Sequence, residues 1–131
     1  MNVNVKSVVV ECSKGSEDDT LNFPQQLAKL AAVGVEGYYA DLRGARKIYY
    51  TADGGSIDVN TTPLGLPVDH RFDAGLVEAA VPQSQAGTHT YREFCAKIMA
   101  AGCPGYLVSI PGRRVVYFGR TAECHVEHFP Q

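Results

Sequence analysis

Apolar residues recur along this chain in two rhythms, one helical and one alternating, and the switch between them happens twice. Val5, Val8, Val9 and Cys12 fall at three- and four-residue spacing and predict a helix over 3–14, with Gly15 as its stop signal. Asp18, Asp19 and Thr20 make a polar joint. Asn22 suits an N-cap, Pro24 then sits in the first helical turn, and Leu27, Leu30 and Ala31 form the expected buried stripe up to Gly34. The rhythm then becomes alternating. Residues 36–42 and 46–51 read as strands joined at Arg43-Gly44, Asp53-Gly54-Gly55 reads as a turn, and 56–60 reads as a third short strand.

"TTPLGLPVD" (61–69) has two prolines, a glycine and no period, and marks a linker over 61–71. The helical rhythm returns after it. Asp73 is placed to cap a helix reaching about Gln85, with Leu76, Val77, Ala80 and Val81 inward, a kink or early end at Pro82, and Gly87 closing it. Thr90 caps a helix over 91–101 with Phe94, Cys95, Ile98 and Met99 inward, and Gly102 stops it. Strands at 105–110 and 113–119, joined by Pro111-Gly112 in the manner of a type II turn, precede a last short strand in "ECHVEHF".

The second series echoes the first. Phe23–Thr51 laid on Tyr91–Gly119 without a gap gives nine identities in 29 positions: Ala28/Ala96, Lys29/Lys97, Ala32/Ala100, Gly34/Gly102, Gly37/Gly105, Tyr38/Tyr106, Gly44/Gly112, Arg46/Arg114 and Tyr49/Tyr117. Chance would give roughly two. The chain therefore reads as two helix–helix–β-hairpin units, about 3–60 and 72–129, sharing one core in a single domain 1–131. Hairpin strands are antiparallel, so the predicted class is α+β, with an antiparallel sheet packed against helices. Alternation puts Tyr38, Ala40 and Leu42 on the core face with Tyr106, Val108 and Ile110. On the following strands it assigns Ile48 and Tyr50, and Val116 and Phe118, to the core, leaving Tyr49 and Tyr117 outward.

Composition adds limits. The chain has 131 residues, 45% hydrophobic and 20% charged, with a formal net charge of −2. No window approaches the ~20 apolar residues of a membrane span, and the start is too broken for a secretory signal, so a cytoplasmic protein without a membrane partner is expected. Four cysteines are expected as reduced thiols. Arg43, Arg46, Lys47, Arg113, Arg114 and Arg120 cluster in the two hairpin segments, although the overall charge argues against a general nucleic-acid binder.

Candidate chemistry is sparse. Cys124, His125, Glu127 and His128 are metal-ligand types, but a strand sends Cys124 and His128 one way and His125 and Glu127 the other, so no metal and no cofactor are expected. Cys103, between Gly102 and Pro104, is the thiol most open to a chemical role, and the alternative is a half-buried turn residue. Nucleophile-elbow, phosphate-loop and dinucleotide motifs are absent. Arg46, Tyr49, Arg114 and Tyr117 are repeated, and arginine with tyrosine suits an anionic or flat ligand or a protein interface. They are the candidate ligand-binding residues. The alternative is packing tyrosines and solvated arginines.

"GYLVSIPGRRVVYFGRTAECHVEHFP", with "FPQQLAKLAAVGVEGYYADL" and "YREFCAKIMAAGCPGY" before it, resembles the YbcV/YdfO-type bacterial proteins, a domain-of-unknown-function family often encoded in prophages and sometimes labelled phage envelope protein. The resemblance implies a small bacterial α+β protein and supplies no catalytic residues. The expected function is non-enzymatic binding or interaction, with a protein partner or self-association first and a small anionic ligand second. Nucleic-acid contact through the basic hairpins, and a small Cys/His-dependent enzyme, are the alternatives.

Overall fold

The computed structural model describes residues 3–85, 87 and 89–130. Of the expected domain span, Met1, Asn2, Ala86, Thr88 and Gln131 lie outside the described residues. The elements run α1 (Val3–Glu17), α2 (Phe23–Ala32), β1 (Val35–Asp41), β2 (Arg46–Thr51), β3 (Ser56–Asn60), α3 (Ala74–Gln85), α4 (Tyr91–Ala100), β4 (Gly105–Ser109), β5 (Arg114–Phe118) and β6 (Cys124–His128). Six strands form one antiparallel sheet in the order β3-β2-β1-β4-β5-β6. This is the α+β class with helix–helix–hairpin units. The units join at β1 and β4, where Tyr39 faces Leu107 across the pairing and equivalent residues lie symmetrically on either side.

Capping fixes two helices as the sequence implies. The Asn22 side chain accepts from the Gln25 N–H while the Gln25 side chain accepts from the Asn22 N–H, and Thr90 and Glu93 do the same for α4. Three expectations need correction. Helix α1 runs through Gly15 to Glu17, because Leu21 packs against it so closely that a Cβ at Gly15 would lie 2.7 Å from Leu21 Cδ1. Helix α3 continues past Pro82 to Gln85, and Leu76 is exposed rather than inward. Ala31 is exposed; the buried side of α2 is Gln26 and Leu30, with Leu27 beside them.

The largest correction concerns the hairpins. Four residues, 42–45, separate β1 from β2, so Asp41 pairs directly with Arg46 and Tyr38 directly with Tyr49. Directly opposed residues share a face. Tyr49 and Tyr117 are therefore core residues, 1% and 5% exposed, while Ile48, Tyr50, Val116 and Phe118 lie on the opposite face. The left-handed residues are Ala45 and Arg113, not the glycines, so Pro111-Gly112 is not a type II turn. Gly44 and Gly112 serve close approach instead. Each N–H is received by a side chain folding back from the strand end, Asp41 Oδ1 at 2.8 Å and Ser109 Oγ at 3.0 Å.

The core consequently holds a row of rings. Tyr49, Tyr38, Tyr106, Tyr117 and His125 follow one another at centroid separations of 5.0, 6.3, 5.6 and 6.5 Å. Helix residues Val9, Leu30, Val77, Phe94 and Ile98 cover this row. On the reverse sheet face Tyr50, Leu107 and Val126 are exposed.

Candidate functional site

Strand β2 places three side chains under the helices: Lys47, Tyr49 and Thr51. Lys47 is 2% exposed, and its Nζ has no hydrogen-bond partner among the described residues. The ammonium lies over the Tyr91 ring, 4.5 Å from its centroid, and 5.7 Å from that of Tyr38. Those ring faces attract a cation but accept no conventional hydrogen bond. Burial pulls the Lys47 pKa down from 10.5 to about 8, opposed by the nearby Cys95, Glu17 and Cys12.

Lys47 borders a small cavity of about 20 Å³, whose lining includes Ala40, Tyr91 and Cys95 and the charged Glu17, Asp41, Arg46 and Arg92. Such a space holds about one water-sized particle. The Tyr91 and Tyr106 hydroxyls meet at 2.7 Å, and burial raises the pKa of both. Burial also pushes the Cys95 thiol to about 11, so it stays protonated. Thr61, Thr62 and Leu64 of the linker also line the cavity. Glu17 accepts from the Thr62 N–H at 2.7 Å and from its hydroxyl at 2.9 Å, and Arg92 donates to the Thr62 and Pro63 carbonyls at 3.3 and 3.4 Å. Two surface charges from different helices thus hold one strap over a buried amine.

Among the described residues, the second half has no such buried amine. Lys47, Tyr91 and Thr61 correspond to Val115, Phe23 and Phe129. Val115 is buried, and the two phenylalanine rings pack edge to face at 5.6 Å. The fold thus fills this position with hydrocarbon in one half and surrounds an unpaired amine in the other.

The sequence-derived candidates are distributed differently. Arg46 and Arg114 are exposed at opposite ends of the sheet. Arg46 lies 3.6 Å from Asp41 and reaches the cavity rim, while Arg114 Nε donates to the Gly112 carbonyl at 3.1 Å. Tyr49 and Tyr117 stand in the ring row, so the two arginines do not converge with them on one surface. Cys103 is fully buried, and its thiol donates to the Gly105 carbonyl at 3.0 Å; burial raises its pKa. His125 Nε2 and Glu127 Oε1 pair at 2.9 Å, Cys124 and His128 face the other side, and no group of three metal-ligand side chains occurs among the described residues. Lys47 was missed. The signal available was its alignment with Val115 between Arg46/Arg114 and Ile48/Val116, a charge against an aliphatic residue inside a strand.

Comparison with known proteins follows the whole fold. Over 108 residues the chain is 29% identical to "Uncharacterized protein Rv2012" of Mycobacterium tuberculosis (strain ATCC 25618 / H37Rv). It is equally similar to "Uncharacterized protein Mb2035" of Mycobacterium bovis (strain ATCC BAA-935 / AF2122/97). These matches cover 82% of this chain and 66% of those proteins, just under two thirds of their length. The family model described as "Protein of unknown function (DUF1398)" matches residues 14–127, a span reaching from the end of α1 to β6, and the chain belongs to that family.

Proposed function

We propose that this is a small, non-enzymatic binding protein whose ligand is a small anion held at Lys47. The observation that carries the reading is the buried Lys47 ammonium, without a hydrogen-bond acceptor among the described residues, beside a small cavity. A buried charge is costly unless it is paired. An anion about the size of a water, such as a halide, supplies the missing charge. Arg46 and Arg92 line the cavity with Glu17 and Asp41, so the rim charges balance and Lys47 is the unmatched one. In this reading the halves are duplicated units of one domain, and one copy of an ancestral apolar position became the site. A bacterial cytoplasmic protein of the YbcV/YdfO type is compatible with it, and an envelope role is not required.

The test is calorimetric titration with bromide at matched ionic strength. Heat of binding is expected with the natural chain and none with Lys47→Val, which installs the residue found at the equivalent position. Equal heats from both proteins, or none from the natural chain, overturn the reading.

A second reading has its own observation. On the open sheet face Leu107 is 45%, Tyr50 39% and Val126 37% exposed, an apolar centre rimmed by Arg46, Arg114, Asp41 and Asp58. Both signs on the rim let this patch meet a second copy of itself, and exposed apolar patches of this kind mark interaction sites. Sedimentation of the natural chain as a dimer and of Leu107→Lys as a monomer supports self-association. A monomeric natural chain at high concentration removes it.

A further inference from the structure

We propose that strand β6 is a self-association edge, and that two copies of this chain pair β6 with β6, antiparallel about a twofold axis at Val126, so that their sheets join into one. This surface is distinct from the open sheet face around Leu107. Strands β3 and β6 are the two ends of the strand order. The Gly119 N–H bonds the Glu123 carbonyl and the Phe129 N–H bonds the Arg113 carbonyl, so residues 123, 125, 127 and 129 turn their backbone groups toward β5. By alternation Cys124, Val126 and His128 turn theirs outward, with no strand beside them. Such an edge is a template for another strand, and its side chains decide which one.

The β6 sequence, Cys124-His125-Val126-Glu127-His128, matches its own reverse in charge. Antiparallel pairing centred on Val126 sets valine against valine and His125 against the partner's Glu127. These two share the helix-side face and already meet at 2.9 Å within one chain, so two copies build an alternating cluster of four. In that register they form a non-hydrogen-bonded pair, the kind whose side chains lie closer. A slip of two residues, the smallest that keeps the outward groups bonded, opposes histidine to histidine or glutamate to glutamate. Charge therefore selects one register. Strand β3 differs. The Thr51 N–H bonds the Gly55 carbonyl and the Thr61 N–H bonds the Ala45 carbonyl, so Ser56, Asp58 and Asn60 are its outward residues, and Asp58 stands where Val126 stands in the other half. Pairing β3 with itself in the equivalent register opposes Asp58 to Asp58. Pairing β3 with β6 sets Ile57 and Val59 against Glu127 and His125. A charge guards the first edge, and the assembly closes at two copies rather than growing into a fibre.

Sedimentation and native mass spectrometry of the full chain test this. The natural chain is expected as a dimer. His125→Glu opposes carboxylates across the axis and Glu127→Lys brings a cation against His125, so each should weaken dimerisation at least about tenfold. Mixing the two variants restores opposite charges, and a one-to-one heterodimer is expected, with both variants folded by circular dichroism. Leu107→Lys should remain a dimer. In the natural chain, amide exchange at Cys124, Val126 and His128 should slow with rising concentration while Ser56, Asp58 and Asn60 stay fast. A monomeric natural chain at high concentration, charge variants that dimerise like the natural chain, folded variants that form no heterodimer, or concentration-independent exchange at Val126 overturns the proposal. If Leu107→Lys is monomeric while both charge variants dimerise, the open face is the interface and the β6 edge is not.

Discussion

Lys47 and Val115 occupy the same place in the two halves of one sheet, and only one of them is matched to its surroundings. Lys47 lies between Ala40 and Val59 in the strand register, and Val115 between Val108 and Glu127. Both side chains are turned under the helices and buried. The valine meets what a core position supplies, while the lysine brings a charge without an acceptor. A position that tolerates that cost in one half and avoids it in the other is the strongest sign of a specific site in this molecule.

Stability should show the cost. Lys47→Val is expected to raise the unfolding free energy by about 1–3 kcal/mol, since replacing a buried charge by hydrocarbon of suitable shape is commonly stabilising. Urea unfolding at pH 7 measures it. A variant less stable than the natural chain would mean the amine is a structural element.

The effect should also depend on pH in one direction. Lys47 titrates near 8 in the folded chain and at its ordinary 10.5 when unfolded. Between those values the unfolded state binds the extra proton, so stability due to this group rises with pH. Below 8 both states are protonated and the full penalty, roughly 3 kcal/mol, is present. The gap between Lys47→Val and the natural chain should therefore be widest below pH 8 and narrow steadily toward pH 10. Cys103 and the buried tyrosines, whose raised pKa values act oppositely at alkaline pH, are common to both proteins and cancel, whereas Cys12 and Cys95 feel Lys47 directly and belong to the gap. A gap that widens with pH contradicts the assignment.

Two equivalent glycines should behave unequally. Gly34 and Gly102 both end helices with positive φ, +83° and +87°. A Cβ at Gly34 meets nothing within 4 Å, whereas at Gly102 it would lie 2.2 Å from the Arg71 carbonyl oxygen of the returning linker. Gly34→Ala should cost about 1 kcal/mol and Gly102→Ala at least about twice that. Thermal unfolding of the two variants compares them, and equal losses would remove the linker contact from the account.

Thiol titration checks the core. Cys12, Cys95 and Cys103 are buried and Cys124 is exposed. An aromatic disulfide reagent should react rapidly with one thiol in the native chain and with four in denaturant. Rapid reaction of Cys103 in the native state would reopen its chemical role.

Much of the fold was legible because local chemistry decided it. Asn22 and Thr90 announced their helices, Gly34 and Gly102 ended them, and the repeat exposed the paired hairpins. The site was not legible because hairpin parity is set by loop length. Reading strands 36–42 and 46–51 leaves a three-residue connection, 43–45, which put Tyr49 outward and Lys47 with it, and an outward lysine raises no question. The four-residue loop 42–45 reverses that face and turns Lys47 into a buried, unpaired charge. Gly15 misled for a similar reason: its role is contact with Leu21, which sequence spacing does not reveal.

The central claim, an anion site at Lys47, is tested most directly by anomalous diffraction from crystals of the full chain soaked in bromide. The account predicts an anomalous peak within contact distance of Lys47 Nζ under the 61–64 strap, absent in Lys47→Val crystals. Bromide found only at surface arginines and lysines, with none beside Lys47, would contradict it.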